Sequence, residues 1–335
     1  MPPVEVPAPD TATRLARLSI GVLRNPRSGA NLRGAAAMRD ALAAHEDVPC
    51  LDVTDPMSVD AALRDLADRG VDTVAISGGD GTVHAVLDTI FGNSPFPRRP
   101  LLAVLRGGTA NMTARDIGMR GRQHRALDGL IEASARGGEG LMVTGRSVMR
   151  IDPGAGRRAL HGMFFGAAAI SQGIEYCKRK IHALGLRGEI GPAVTMARFV
   201  IAMARGEREI VAPVPITIAV DDGPAASFDC EIVHVTTLDQ LVLGLKPYWG
   251  TEAAPLRYAS ARARPRHWVR ALPGLLRGRP NRFVTVENGY DSRNAHRVTI
   301  GLDTPFFVDG EIFAPSEGTP VVLTDGGTAE FVTLR

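Results

Sequence analysis

Three short segments in the first third of the chain combine glycines with hydroxyl and amide side chains. They are NPRSGAN (25–31), SGGDGT (77–82) and RGGTAN (106–111). Because glycines lack a side chain, the backbone amides around them can approach phosphate oxygens closely. Ser28 and Gly29 also precede a predicted helix, whose free amides attract anions. Each segment alone is compatible with an ordinary strand-to-helix turn. Together they predict a polyphosphate-binding site.

The second segment places a carboxylate, that of Asp80, among its glycines. A bare carboxylate repels a triphosphate, but it is useful if Mg²⁺ or an attacking hydroxyl lies between the two. Asp80 is therefore predicted to take part in phosphoryl transfer. The chain has neither the GxxxxGK[ST] sequence of a P-loop nor the HRD and DFG sequences of protein kinases.

Buried strands precede these segments. LSIGVL (18–23), PCLDV (49–53), DTVAIS (72–77) and LLAVL (101–105) are apolar, and stretches with helical spacing lie between the first three. Ser58 is predicted to cap the second of these helices. Strands that alternate with helices favour a parallel sheet covered on both faces, which binds ligands at the carboxyl ends of its strands.

The pattern of the sequence changes after about Arg146. Longer β-rich stretches follow, among them VAPVPITIAVDD, FDCEIVHVTTL, RFVTVEN and HRVTIGLD. They predict a second, mainly antiparallel domain. Helical inserts are expected near 171–205 and 266–277.

Composition narrows the class of protein. The 335 residues suffice for two domains, and the net charge of +3 gives no global indication of nucleic-acid binding. Cys50, Cys177 and Cys230 show no ligand spacing, which favours a reducing compartment and no structural metal. With no signal-peptide pattern and no long apolar run, we expect a cytoplasmic protein that is at most peripheral to a membrane.

One stretch, residues 257–282, is strongly basic. It contains eight arginines and no acidic residue, interleaved with Tyr258, Trp268 and leucines. Such a segment is typical of a helix lying in an anionic membrane interface. A solvated basic face is the alternative. Nucleic-acid binding is not predicted, because the chain offers no recognition module.

NPRSG, SGGDGT and GGTAN, with VDGE (308–311) later in the chain, resemble the catalytic family of diacylglycerol kinases. This family includes bacterial lipid kinases, sphingosine kinases and ceramide kinases. The GGDGT sequence is shared with NAD kinases, but their GSTAY-type segment is absent here.

The resemblance implies three parts. They are an N-terminal α/β ATP-binding domain (1–145), a C-terminal antiparallel β-sandwich domain for the lipid (146–319), and a last segment (320–335) that returns to the N-terminal domain. It further implies that a cleft between the two domains holds ATP and the lipid head group.

The resemblance also implies site residues. Those for ATP are Asn25, Pro26, Arg27, Ser28, Gly29, Thr54, Gly78, Gly79, Asp80, Gly81, Thr82, Gly108, Thr109 and Asn111. Glu311 matches the catalytic base, with Asp80 as the second candidate and Asp309 as a residue that could share the role. His84, Ala85, Arg106 and Met112 depart from the family pattern.

The sequence thus predicts an ATP- and Mg²⁺-dependent lipid kinase. Its acceptor would be a primary hydroxyl of a membrane lipid, such as diacylglycerol or a ceramide- or sphingoid-type lipid, met at the inner membrane face. The alternatives are a soluble-metabolite kinase of the NAD kinase type and a non-catalytic ATP-binding sensor.

Overall fold

The computed structural model describes residues 14–108, 111–176 and 211–335, with residues 198, 201, 202, 205 and 207. The chain divides into two compact units. The first comprises the residues up to Ser147 together with Gly327–Arg335, and the second comprises Val148–Gly326. Most of the helical insert expected near 171–205 lies outside the described residues, as does Cys177.

The first unit alternates strands and helices. Its elements are β1 (Ile20–Arg24), α1 (Gly29–Ala43), β2 (Cys50–Asp52), α2 (Pro56–Asp68), β3 (Thr73–Gly78), α3 (Asp80–Asn93), β4 (Leu101–Arg106), α4 (Met112–Asp116), α5 (Gln123–Ala135) and the start of β5 (Leu141–Asp152). The strands β2, β1, β3 and β4 lie side by side in that order and are parallel. Near the end of the chain, Phe331 pairs with Leu102 of β4, also in parallel.

Burial explains why these segments fold as they do. All six residues of β3 are buried, as expected for a parallel strand covered on both faces. Helix α2 buries Val59, Leu63 and Leu66, which share one face at helical spacing. Its cap is Asp55, not Ser58 as the sequence predicted. The Asp55 carboxylate accepts a hydrogen bond of 2.9 Å from the Ser58 amide. The helix begins at Pro56, three residues before the start that a Ser58 cap would give.

The second unit is antiparallel, as predicted. Its elements after β5 are β6 (Leu160–Gly162), β7 (Phe164–Ala168), α6 (Ala169–Tyr176), β8 (Val214–Val220), β9 (Ala226–Thr236), β10 (Leu256–Arg262), α7 (Trp268–Arg277), β11 (Tyr290–Ala295), β12 (Arg297–Gly301), β13 (Phe306–Val308), β14 (Glu311–Phe313) and the first part of β15 (Val321–Leu334). The residues of β15 from Gly327 onward belong to the first unit. The long strand β9 pairs with β7, β8 and β10. None of the described helices is long and apolar enough to cross a membrane.

Alternation along the strands separates the two faces of this unit. Phe165 pairs with Val235 and both enter the main apolar core, together with Tyr258 and Phe306. His234 points to the other face, where it is buried and stacks on Phe164 with 6.1 Å between ring centroids. Its Nε2 has no hydrogen-bond partner among the described residues. Burial lowers the pKa of His234 to about 4.

We expect the second unit to lose stability in mild acid because of His234. Its pKa is about 4 in the folded chain and about 6.5 in an unfolded one, so the unfolded chain binds more protons between these values. This penalty is nearly absent at pH 7 and grows as the pH falls toward 4, reaching roughly 2 kcal/mol at pH 5. Both tryptophans, Trp249 and Trp268, lie in this unit, so urea unfolding followed by tryptophan fluorescence measures the effect.

The matched control is His234→Gln, which has no titrating group at this position. Its free energy of unfolding should depend less on pH by about the same 2 kcal/mol. If wild type and variant lost stability in parallel between pH 7 and pH 5, His234 would not be the source.

Candidate functional site

The three glycine-containing segments meet at the carboxyl ends of β1, β3 and β4. The Asn25 side-chain amide donates to the Thr82 hydroxyl at 3.2 Å, which joins the first segment to the second. The Ala30 amide donates to the Gly107 carbonyl at 3.0 Å, which joins the first to the third. The structure therefore brings together residues that lie far apart in the sequence.

The second and third segments are in direct backbone contact. A Cβ atom on Gly107 would lie 2.6 Å from the Gly78 nitrogen, and one on Gly108 would overlap the Gly79 Cα. Gly78 is held by the strand pairing of β3 and Gly79 directly precedes α3, so their backbone atoms cannot move aside and no other residue fits at positions 107 and 108. A Cβ on Gly78 would meet the Thr82 side chain at 2.5 Å. Gly107 and Gly108 are thus needed for packing between the second and third segments, and Gly78 for packing within the second segment.

Two helices begin at this edge of the sheet. Helix α1 begins directly after Ser28, and α3 begins directly after Gly79. Both have an amino terminus of the kind that attracts anions. The Ser28 hydroxyl makes no capping bond, and its oxygen is buried without a partner in the described part of the chain. A buried polar atom left unpaired costs free energy, so this hydroxyl is well suited to a ligand that supplies the missing bond.

A buried polar network supports the first segment from below. The Asn31 amide group donates to the carbonyls of Asn25 and Ser77 at 2.7 and 2.9 Å. The Ser77 hydroxyl lies 3.0 Å from Asn31 Oδ1 and 2.9 Å from Gln123 Oε1, and Gln123 Nε2 donates to Asn31 at 2.5 Å. Sequence reasoning did not select these three side chains. A polar residue inside an otherwise apolar strand, such as Ser77, was the available signal.

Asp80 bonds to the start of α4, which follows the third segment. Its Oδ1 accepts a hydrogen bond of 3.2 Å from the Thr113 amide, and the amides of Met112 and Asn111 also favour its charged form. Burial is the larger effect and raises the pKa of Asp80. This carboxylate therefore links the start of α3 to the start of α4.

The donor set limits how Mg²⁺ could be held. No group of three or more metal-ligating side chains occurs among the residues that the structure describes. Asp80 offers a single carboxylate, one oxygen of which already accepts the Thr113 amide. Mg²⁺ can be bound through one carboxylate if substrate phosphates and water supply the other ligands. The residues present fit an ion that arrives with a nucleotide.

The other predicted ATP residues have simpler positions. Asn111 adopts φ 49°, and its side chain bonds to the Gly108 amide and carbonyl at 2.8 and 3.0 Å. Arg27 is exposed and its amide donates to Asn25 Oδ1 at 3.0 Å, with Pro26 and Gly29 on either side of the Arg27–Ser28 turn.

Three further residues were predicted to contact ATP. Gly81 lies in the first turn of α3. Thr54 follows β2, and its hydroxyl donates to Asp55 at 3.3 Å. Thr109 lies outside the described residues.

The two carboxylates of VDGE differ in environment. They lie in the second unit, where β13 and β14 form a hairpin that pairs Val308 with Glu311. Asp309 is buried at φ 42°, and its Oδ2 accepts a 2.6 Å hydrogen bond from the Met163 amide. Glu311 is exposed and forms no ion pair within the described residues. Asp309 therefore anchors the hairpin, whereas Glu311 is open to solvent.

Solved structures and a protein family resemble this chain. A diacylglycerol kinase from Bacillus anthracis str. Sterne is 17% identical, and the match covers 94% of this chain and 96% of that one with a TM-score of 0.58. A second structure from that organism, named as a candidate diacylglycerol kinase, has the same identity and coverage with a TM-score of 0.64. At this identity the likeness concerns the fold.

No curated protein matches the chain in sequence. Residues 19–142 match the family described as the diacylglycerol kinase catalytic domain. This range contains all three glycine segments, the Ser28 hydroxyl and the network beneath them. Residues 19–142 of this chain are therefore similar to the diacylglycerol kinase catalytic domain.

Proposed function

We propose that this protein is an ATP-dependent lipid kinase. It would transfer the γ-phosphoryl group of ATP to a primary hydroxyl of a membrane lipid, such as diacylglycerol or a ceramide- or sphingoid-type lipid. The observation that carries the proposal is the buried, unpartnered Ser28 hydroxyl at the start of α1, beside the joined glycine segments of a kinase-family domain.

In the proposed reaction, the first unit would act by holding the phosphates of ATP in position. Phosphoryl transfer involves little covalent chemistry for the protein, so catalysis depends on holding the phosphates and stabilising their charge. The amino termini of α1 and α3 would face the phosphates, and Ser28 would donate a hydrogen bond to one of them. The bond between Asn25 and Thr82 keeps these two termini in register. Mg²⁺ bound to ATP would neutralise part of the phosphate charge.

The acceptor side is assigned to Glu311. An exposed carboxylate can reach a substrate hydroxyl, orient it and accept its proton as the new bond to phosphorus forms. Asp309 is less suited to this role, because it is buried and its Oδ2 accepts the Met163 amide. We therefore assign Asp309 to holding the hairpin and Glu311 to the base.

The direct test supplies labelled ATP with a panel of acceptors. The panel contains diacylglycerol, monoacylglycerol, ceramide, sphingosine and phosphatidylglycerol in detergent or vesicles, with NAD as the soluble acceptor. A phosphorylated lipid supports the proposal and names the acceptor. Label in NAD alone would favour the soluble-metabolite kinase, and ATP binding without any product would favour the sensor.

We expect Ser28→Ala to weaken ATP binding without weakening the fold. A hydrogen bond to a charged phosphate contributes about 1.5–3 kcal/mol, so ATP affinity should fall about tenfold or more. Because the Ser28 hydroxyl has no partner in the described chain, its removal should leave the free energy of unfolding unchanged or slightly higher. Calorimetric ATP titration and thermal unfolding measure the two quantities.

Ser77→Ala is the matched comparison. Its hydroxyl is fully buried and bonded to Asn31 and Gln123, so this variant should lose about 1–3 kcal/mol of stability. Unchanged ATP affinity in a folded Ser28→Ala protein would contradict the assignment of Ser28 to phosphate binding.

We expect Glu311→Gln to lower kcat for the lipid by about 10² to 10⁴. The amide keeps the shape of the side chain but cannot accept the proton, whereas ATP affinity should stay nearly the same. Glu317→Gln, at another exposed glutamate of the second unit, is the control and should keep full activity. Near-normal lipid turnover by Glu311→Gln would move the base to another carboxylate.

A further inference from the structure

The arginine-rich stretch 257–282 belongs to the second unit, outside the part of the chain that matches the kinase family. It is not one continuous helix. Residues 257–262 belong to strand β10, a turn follows, and helix α7 spans Trp268–Arg277. Arg257 differs from the other seven arginines. It is half-buried, forms an ion pair with Asp239 and donates to the carbonyls of Thr237 and Leu238.

Packing fixes which side of α7 faces outward. Ala271, Gly274 and Leu275 are buried in a small apolar cluster, and Trp268 stacks on Tyr290 with 6.4 Å between ring centroids. The tryptophan and this leucine are therefore part of the protein core, and they do not form the lipid-facing side that the sequence suggested. The opposite side of α7 exposes Arg270, Pro273 and Val269, the last of them 71% exposed.

Seven exposed arginines lie on α7, at the end of β10 and in the segments next to α7 in the sequence. We call them the basic surface: Arg262, Arg264, Arg266, Arg270, Arg277, Arg279 and Arg282. None of them forms an ion pair with a carboxylate of the described residues. The eight arginines of the stretch contribute +8 to a net charge of +3, so the rest of the chain carries −5. The basic surface is thus a concentrated positive charge that the described part of the protein does not neutralise.

Aromatic and apolar contacts hold parts of this surface in place. The guanidinium groups of Arg270 and Arg282 lie 5.5 and 4.8 Å from the Phe283 ring centroid. The Arg266 amide donates to the Asn288 carbonyl at 2.9 Å, which brings a second exposed valine, Val286, next to the arginines. Val286 is 54% exposed. Cationic side chains next to exposed aliphatic ones suit a binding surface that carries negative charges and has an apolar layer below them.

We propose that the basic surface docks the second unit on an anionic lipid membrane. The arginines bind the head-group phosphates, and Val269 and Val286 enter the apolar boundary below them. A single-stranded nucleic acid would need exposed aromatic rings on which its bases stack, and the rings here are packed inward or covered by arginines. The inference rests on the proposed function, because a kinase with a lipid acceptor needs to reach a membrane. Membrane binding itself can be measured without kinase turnover.

The test is sedimentation with vesicles of phosphatidylcholine and phosphatidylglycerol, compared with phosphatidylcholine alone. The protein should bind only the anionic vesicles, and high salt should weaken this binding because it screens the charges. Arg266→Glu with Arg270→Glu should lower the partition coefficient by about 30-fold or more, since two contacts of about 1 kcal/mol each are lost. The control reverses two exposed arginines of the first unit, Arg39 and Arg125, and should bind as the wild type does.

Two further measurements keep the outcomes distinct. Tryptophan fluorescence should be the same in variant and wild type, because Trp249 and Trp268 report on the fold around α7. With a water-soluble short-chain diacylglycerol, the double variant should keep its kinase activity, whereas with vesicles it should lose it. Absence of kinase activity in the wild type would count against the proposed function and leave the vesicle result valid.

Three results would overturn the docking proposal. They are equal partitioning of wild type and double variant at low salt, equal binding to neutral and anionic vesicles, and complete displacement from anionic vesicles by a short single-stranded oligonucleotide. The last result would assign the basic surface to nucleic acid.

Discussion

The candidate site depends on the backbone contact between the second and third glycine segments. Gly107 and Gly108 lie against Gly78 and Gly79 so closely that a single Cβ atom on Gly107 or Gly108 would overlap main-chain atoms. This contact fixes where α3 begins relative to the loop after β4. The bond from Asp80 to the Thr113 amide then closes the same junction from the other side. This junction positions the starts of α3 and α4, and it therefore determines where a phosphate could bind between them.

The first segment is tied to this junction by polar contacts. Asn31, Ser77 and Gln123 satisfy one another inside the protein, and Asn31 also holds the Asn25 carbonyl. Buried networks of this kind are rigid when all members are bonded and costly when one is missing. Against that background the Ser28 hydroxyl stands out, because its buried oxygen has no hydrogen-bond partner among the described residues. A site that is rigid and incomplete in one bond is suited to a ligand that completes it.

In the second unit some charged side chains are buried and bonded, whereas others nearby in the sequence are exposed. Asp309 is turned inward and holds the hairpin, whereas Glu311 two residues later is turned to solvent. The same division occurs among the arginines, where Arg257 is paired with Asp239 and those that follow it are exposed. In both cases residues of like charge that lie close in sequence differ in burial and in the bonds they form.

The sequence alone determined the class of fold and that the three glycine segments lie at one edge of the sheet. Alternating apolar strands and helices specify a parallel sheet, and segments that follow consecutive strands of such a sheet end at the same edge. Those are local properties, readable from the order of residue types. The sequence did not reveal that Gly107 is needed for packing, that Gln123 supports Asn25, or that Trp268 faces the core. These depend on which residues meet across the fold: Gln123 lies 92 positions from Asn31, yet the two are bonded. Register and burial decide such contacts, and both are set only when the strands and helices pack together.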